Sequence, residues 1–121
     1  MKIVEKKEKS FLRKELALRI NVKKRKTDFI NAAKNGDLST VEVILKEGID
    51  INITDQKNGY SALHWATEKG QKKIVRLLIE KGANLNAKTK NNLTPLNLAD
   101  NNFENEISEL LIKNGASEFV Y

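Results

Sequence analysis

The chain has 121 residues, 40% of them hydrophobic and 31% charged, enough for one modest core and too few for two ordinary domains. It contains no cysteine, which removes disulfide staples, thiolate metal sites and a cysteine nucleophile, and suits a reducing compartment. The net charge of +6 is uneven: residues 1–26 carry 11 bases against 3 acids, a balance of +8, and residues 27–121 carry 11 bases against 13 acids, a balance of −2.

The basic arm comes first. No apolar run in the chain reaches the ~20 residues that span a bilayer, and the opening Met1 to Lys7 breaks into charge before a signal-peptide core can form, so a soluble protein outside the general secretion route is expected. Residues 10–22 place Leu12, Leu16 and Ile20 at four-residue steps, with Phe11 and Leu18 beside that stripe, the pattern of an amphipathic helix. Lys23, Lys24, Arg25 and Lys26 then form a run of four bases suited to phosphates or to reading as a nuclear import signal.

From residue 27 the chain repeats itself. Gly36 and Gly70 are 34 apart, as are Gly48 and Gly82, and Gly82 and Gly115 are 33 apart. Thr27, Ser61 and Thr94 stand where a hydroxyl caps a helix, with Asp28, Ala62 and Pro95 at the first helical position, where an acid or a proline is tolerated. A break at Gly36 or Gly70 turns the chain back. A second helix follows, its buried stripe made by Val41, Ile44 and Leu45 or by Ile74, Leu77 and Leu78. Gly48, Gly82 and Gly115 suit the left-handed position that closes it. The boundaries expected are 1–26 for the arm and about 27–56, 57–90 and 91–121 for three units.

The stretch Gly59-Tyr60-Ser61-Ala62-Leu63-His64-Trp65-Ala66, followed by Gly70, Ile74 to Ile79 and Gly82 to Ala87, resembles the ankyrin repeat, about 33 residues of turn plus two helices with a Thr-Pro-Leu-His-like start. The third unit carries Thr94-Pro95-Leu96-Asn97 in the same place. The resemblance covers residues 27–116 and implies an all-α solenoid of three repeats joined by hairpin-like loops, with an N-terminal capping helix. The chain departs from the pattern at Asp55 to Gly59, one residue longer than usual, at Asn92 in place of the turn glycine, and at Phe103 in place of the mid-repeat glycine. Asparagine tolerates a left-handed backbone and phenylalanine does not, so the inter-helix turn of the third unit is the part of the pattern least expected to hold.

Within that resemblance His64, the single histidine, is a structural residue near the repeat turn, and Trp65 is expected to pack in the core. Glu42, Glu47, Asp50, Glu104, Glu106 and Glu109 show no metal-ligand spacing, and no glycine-rich phosphate loop follows a strand. No catalytic residue, metal site, cofactor or small-molecule substrate is therefore expected. The positions that the fold does not need line the turn tips and the concave face of the first helices. They are Lys34 and Asn35 in the first unit, then Gln56, Lys57, Asn58, Tyr60, Glu68 and Lys69 in the second. In the third they are Lys90, Asn91, Leu93, Asn101 and Asn102, with Tyr60 and Leu93 the apolar members of a polar set.

The arm has two readings. In one it is a degenerate half-repeat that caps the first unit, with Phe11-Leu12 standing for Leu77-Leu78 and Ile20-Asn21-Val22 for Leu85-Asn86-Ala87. In the other its bases, with Lys6, Lys7 and Lys9, engage nucleic acid, an anionic membrane or an import receptor. The expected function is a non-enzymatic protein-protein interaction module in the cytoplasm, with nuclear import or delivery into a host cell as alternatives. The abundance of Lys, Asn and Ile suits an AT-rich genome, and small ankyrin proteins of that kind include effectors of intracellular bacteria. At the other end, Phe119, Val120 and Tyr121 suit either a cover over the last repeat or a contact with a second molecule.

Overall fold

The computed structural model describes residues 2–117, and their side chains from residue 12 on; the readings placed on the side chain of Phe11 and on Phe119, Val120 and Tyr121 lie outside the described residues. Six helices follow one another: α1 Lys2–Asn35, α2 Leu38–Lys46, α3 Ala62–Glu68, α4 Lys72–Glu80, α5 Pro95–Asn101 and α6 Asn105–Lys113. There is no strand among the described residues beyond one antiparallel bridge between Thr54 and Ser61. Helices pair within a unit (α1 with α2, α3 with α4, α5 with α6) and stack between units, α1 on α3 on α5 and α2 on α4 on α6.

The register explains the stack. Phe29, Leu63 and Leu96 occupy one position in successive first helices, and Ala32, Ala66 and Ala99 the next turn; all are buried. Thr40, Ile74 and Ile107 correspond in the second helices, as do Ile44, Leu78 and Leu111. Each large apolar side chain fully withdrawn from water contributes about 1.5–3 kcal/mol before the entropy of ordering the chain is set against it. The alanines matter as much, because their small size lets neighbouring first helices approach.

Ser61 and Thr94 cap α3 and α5 as expected: each hydroxyl accepts the N–H three residues on, and His64 or Asn97 accepts the N–H of the capping residue in return. The inter-helix turn has one geometry in all three units. The N–H of Asp37, Gln71 and Glu104 reaches the carbonyl of Ala32, Ala66 and Ala99 at 2.9, 2.8 and 2.8 Å. This turn demands a left-handed residue, supplied by Gly36 (φ 83°), by Gly70 (φ 70°) and, in the third unit, by Phe103 (φ 57°). The third turn therefore forms despite its phenylalanine, which stores roughly 1–2 kcal/mol of strain. In the first two units the following repeat fills the space beyond the glycine: a Cβ at Gly36 would lie 2.7 Å from Gln71 Oε1, and one at Gly70 2.8 Å from Glu104 Oε1. Phe103 is 85% exposed, so its ring meets no such neighbour. Asn92 takes φ 63°, matching Gly59 at φ 69°.

The first unit departs from expectation. Thr27 caps nothing; it lies inside α1, its hydroxyl donating to the Lys23 carbonyl at 3.1 Å. The cause is in the register. The position of Gly59 and Asn92 is held by Arg25, and residues 2–35 contain neither glycine nor proline, so nothing turns the chain aside before the cap. Ile20, Asn21 and Val22 are helical and cannot stand for the loop Leu85-Asn86-Ala87, so the arm is not a half-repeat but the continuation of the first repeat's own helix. Nor do its described side chains bury a stripe. Leu12, Leu16, Leu18, Ile20 and Val22 are 59–65% exposed. With about 100° per residue, Leu18 falls on the face opposite Leu16 rather than beside it.

Candidate functional site

Two rows of expected site residues run across the units. The first-helix ends bring Lys34–Asn35, Glu68–Lys69 and Asn101–Asn102 to corresponding positions, and the loops bring Gln56, Lys57 and Asn58 beside Lys90 and Asn91. Asn35, Gln56, Lys57, Lys69, Lys90, Asn91 and Asn101 are exposed, and Lys34, Asn58, Tyr60, Glu68 and Leu93 half-buried. Several also serve the fold. The Lys90 N–H donates to the Asn58 carbonyl at 3.1 Å and its Nζ reaches the Gln56 carbonyl, tying the second loop to the third. The Asn102 side chain donates to the Leu98 carbonyl at 3.0 Å.

The rows meet at an aromatic cluster at the start of α3. The Tyr60 ring lies 4.7 Å from that of Trp65 and 5.6 Å from that of His64, and its hydroxyl points along the helix to Glu68 Oε1 at 3.5 Å. Burial, then the Glu68 carboxylate, raise the tyrosine pKa and keep its hydroxyl protonated. Trp65, expected in the core, is only half-buried. Lys34 Nζ sits 4.4 Å from the centre of its ring, and its Nε1 donates to Asp55 Oδ2 at 2.9 Å. Such a cation over an indole face contributes about 0.5–1 kcal/mol where it remains hydrated.

Asp55, absent from the expected site, organises the loop below. Its Oδ1 accepts the N–H of Asn58 at 2.8 Å and of Tyr60 at 3.4 Å. Burial pushes its carboxyl upward, but these bonds, with those from Trp65 and Gly59, outweigh it and hold the group below the usual carboxylate range. His64 is structural, as the resemblance implied. Its Nδ1 accepts from the Ser61 N–H at 3.1 Å, and its Nε2 lies 2.8 Å from the Ala87 carbonyl and 3.2 Å from that of Leu93, which fixes the neutral tautomer with the proton on Nε2. Burial lowers its pKa against the opposing pull of those carbonyls.

The four-base run is spread around a helix. Arg25 pairs with Glu47 at 3.0 Å, Lys26 is half-buried, and steps of about 100° leave Lys23 and Lys26 on one side and Lys24 on another. Lys23 and Lys26 line a groove of about 680 Å³ between α1 and the second unit, together with Leu18, Val22, Ile30, Lys34 and Trp65. The residues that sequence reasoning missed are therefore Asp55, Trp65 and the groove-facing side of α1. One signal was available: Leu18, Val22, Phe29 and Ala33 follow a single helical stripe, the core face of the first unit prolonged into the arm.

No group of His, Cys, Asp and Glu able to hold a metal occurs among the described residues, and none of their helices is long and apolar enough to cross a membrane. The model of the ankyrin repeats, in three copies, matches residues 29–119. The chain is 39% identical over 92 residues to the ankyrin repeat and KH domain-containing protein mask-1 of Caenorhabditis elegans, covering 75% of this chain and 3% of that protein. It is 42% identical over 66 residues to palmitoyltransferase AKR1 of Saccharomyces cerevisiae (54% of this chain, 8% of that one). To the human 2-5A-dependent ribonuclease it is 34% identical over 70 residues (58% and 9%). It thus spans less than a tenth of each relative, and the two enzyme names belong to proteins that are mostly something else. These relatives give no support to the expected kinship with bacterial effectors. The repeat is in general a non-catalytic unit of protein-protein interaction, and the chain belongs to the ankyrin-repeat family.

Proposed function

We propose that this protein is a non-enzymatic interaction module that holds a protein partner against its turn tips and the concave side of α3 and α5. The observation that carries the reading is the Tyr60–Trp65 pair. Two large aromatic side chains, Tyr60 just ahead of α3 and Trp65 on it, are left half-buried in the central unit, with Glu68 and Lys34 around them and Leu93 one repeat away. Aromatic anchors inside a polar rim are what a protein interface needs, since a few such residues supply most of its energy. The exposed members of the two rows, Lys57, Lys69, Asn91 and Asn101, supply the rim. Binding by the basic run to nucleic acid, an anionic membrane or an import receptor is the second reading. It is weaker because Arg25 is engaged by Glu47 and the remaining charges are wound around a helix.

The test is affinity recovery from a lysate of the source cells with the wild-type chain and a Lys57→Glu/Tyr60→Ala/Leu93→Ala variant, their helical signals compared by circular dichroism. A partner kept by the wild type and lost by the variant, at equal helicity, supports the reading. Recovery unaffected by the variant, or abolished by raised salt alone, defeats it in favour of the arm.

A further inference from the structure

The groove between α1 and the second unit owes its existence to the missing turn before Thr27. Had α1 begun there, one wall would be absent. As built, Leu18 and Val22 stand on that wall at 63% and 65% exposure, Ile30 forms the floor and Trp65 the far side. Four bases rim it: Arg19, Lys23, Lys26 and Lys34, which recur every three to eight residues over about 22 Å of helix. The single acid in the lining is Asp55, whose carboxylate already accepts Trp65 Nε1 and the backbone N–H groups of Asn58 and Tyr60. A strip of uncovered apolar side chain is thus enclosed by a net charge of one sign.

We infer that this groove binds an acidic peptide segment carrying one or more bulky apolar side chains, its carboxylates on the α1 bases and its apolar groups on Leu18, Val22 and the Trp65 ring. This rests on the interaction-module reading and extends it to an adjoining surface, which shares Trp65 and Lys34 with the first and has a stated chemistry. Charge chooses among the occupants. A second copy would bring another arm of +8 against a rim that is itself basic, and like charges across an interface oppose association. A phosphate backbone would use the bases but would leave Leu18 and Val22 uncovered. An acidic amphipathic segment satisfies both, and Lys34, now held over the indole by a weak contact, is free to turn to a carboxylate.

Trp65 is the only tryptophan, so its emission reports the groove directly. The probe is a 12-residue capped peptide made of three copies of Glu-Leu-Glu-Glu, titrated into the full chain at low salt. The expected result is a saturable emission shift, at least tenfold weaker in Lys23→Glu/Lys26→Glu and in Leu18→Ser, and unchanged in Lys113→Glu on the distant α6. The same peptide with lysine in place of glutamate gives no shift. Three results would overturn the inference: no saturable shift in the wild type, equal affinity in the Lys23→Glu/Lys26→Glu variant, or tighter binding of phosphatidylserine vesicles or duplex DNA than of the peptide. Sedimentation showing a dimer that excludes the peptide overturns it as well. Because the recovery experiment probes Lys57, Tyr60 and Leu93 instead, a silent groove beside a lost partner removes this inference alone.

Discussion

The first and second repeats are built on the same register and end in different architecture. Both carry a hydroxyl at the cap position, Thr27 and Ser61, and both pack an aromatic or leucine two residues later, Phe29 and Leu63. What separates them is two residues before the cap. Gly59 takes a left-handed conformation, the chain turns, and Ser61 caps a helix of 7 residues. Arg25 does not, and α1 runs for 34 residues through the point where a turn was due. A cap residue can start a helix only where something upstream has stopped one. The lesson is that the hydroxyl selects among starts that the backbone has already made available.

The two regions also differ in what holds them. The repeats are held by burial, and the arm by backbone hydrogen bonds and helix propensity. Leu63→Ala should therefore cost about 2–5 kcal/mol in urea unfolding, whereas Leu18→Ala on the exposed arm should stay within about 0.5 kcal/mol. Similar losses at both sites would mean that the arm is docked. The sharpest way to break the contrast is to give the first repeat the residue it lacks. Arg25→Gly should cost about 1 kcal/mol through helix propensity and lower the 222 nm ellipticity as residues ahead of Thr27 fray, while the repeats keep a cooperative transition. It also removes the exposed Arg25–Glu47 pair, worth about 0–1 kcal/mol.

A smaller effect distinguishes the cap that uses histidine. Burial holds the folded-state pKa of His64 below its ordinary 6.5, so the unfolded chain takes up the proton first. Stability should be full above that value and decline as pH falls below it, until the folded state also protonates. His64→Asn, which installs the side chain that Asn97 uses in the third repeat, should flatten the decline between pH 8 and 5 in urea midpoints. An unaltered slope would place the titrating group elsewhere.

Much of this was legible in the sequence. The period, the two capped first helices and the second-helix cores were readable because each depends on residues within one repeat. Three features were not. Whether Thr27 caps depends on Arg25, a residue whose only relevant property is what it is not. The Phe103 turn forms because the bonding of Glu104 to Ala99 and the burial of Ile107 and Leu111 outweigh its strain, a balance no local rule weighs. Trp65 is half-buried because α1 and α3 leave a groove beside it, which follows from the arm's course and not from the repeat pattern. The expected turn-tip residues were placed by register alone, and Lys90 and Asn102 show how register misses a structural duty that a side chain performs alongside.

The hydrogen bonds between units have a consequence for how the molecule comes apart. Gln71 of the second unit donates back to the Lys34 carbonyl of the first at 3.2 Å, and Asn52 accepts the Asn84 N–H at 2.8 Å. In the other direction, His64 of the second unit reaches the Leu93 carbonyl of the third at 3.2 Å. Each of these links joins neighbouring units, so the described residues behave as a one-dimensional chain of coupled segments. An opening that starts at α6 severs one coupling and can heal against its neighbour. An opening that starts at α3 severs two at once and leaves fragments on either side that have lost their template. The slowest amides to exchange should therefore cluster in the middle, and the lifetime of the whole is set by the unit that has no free side.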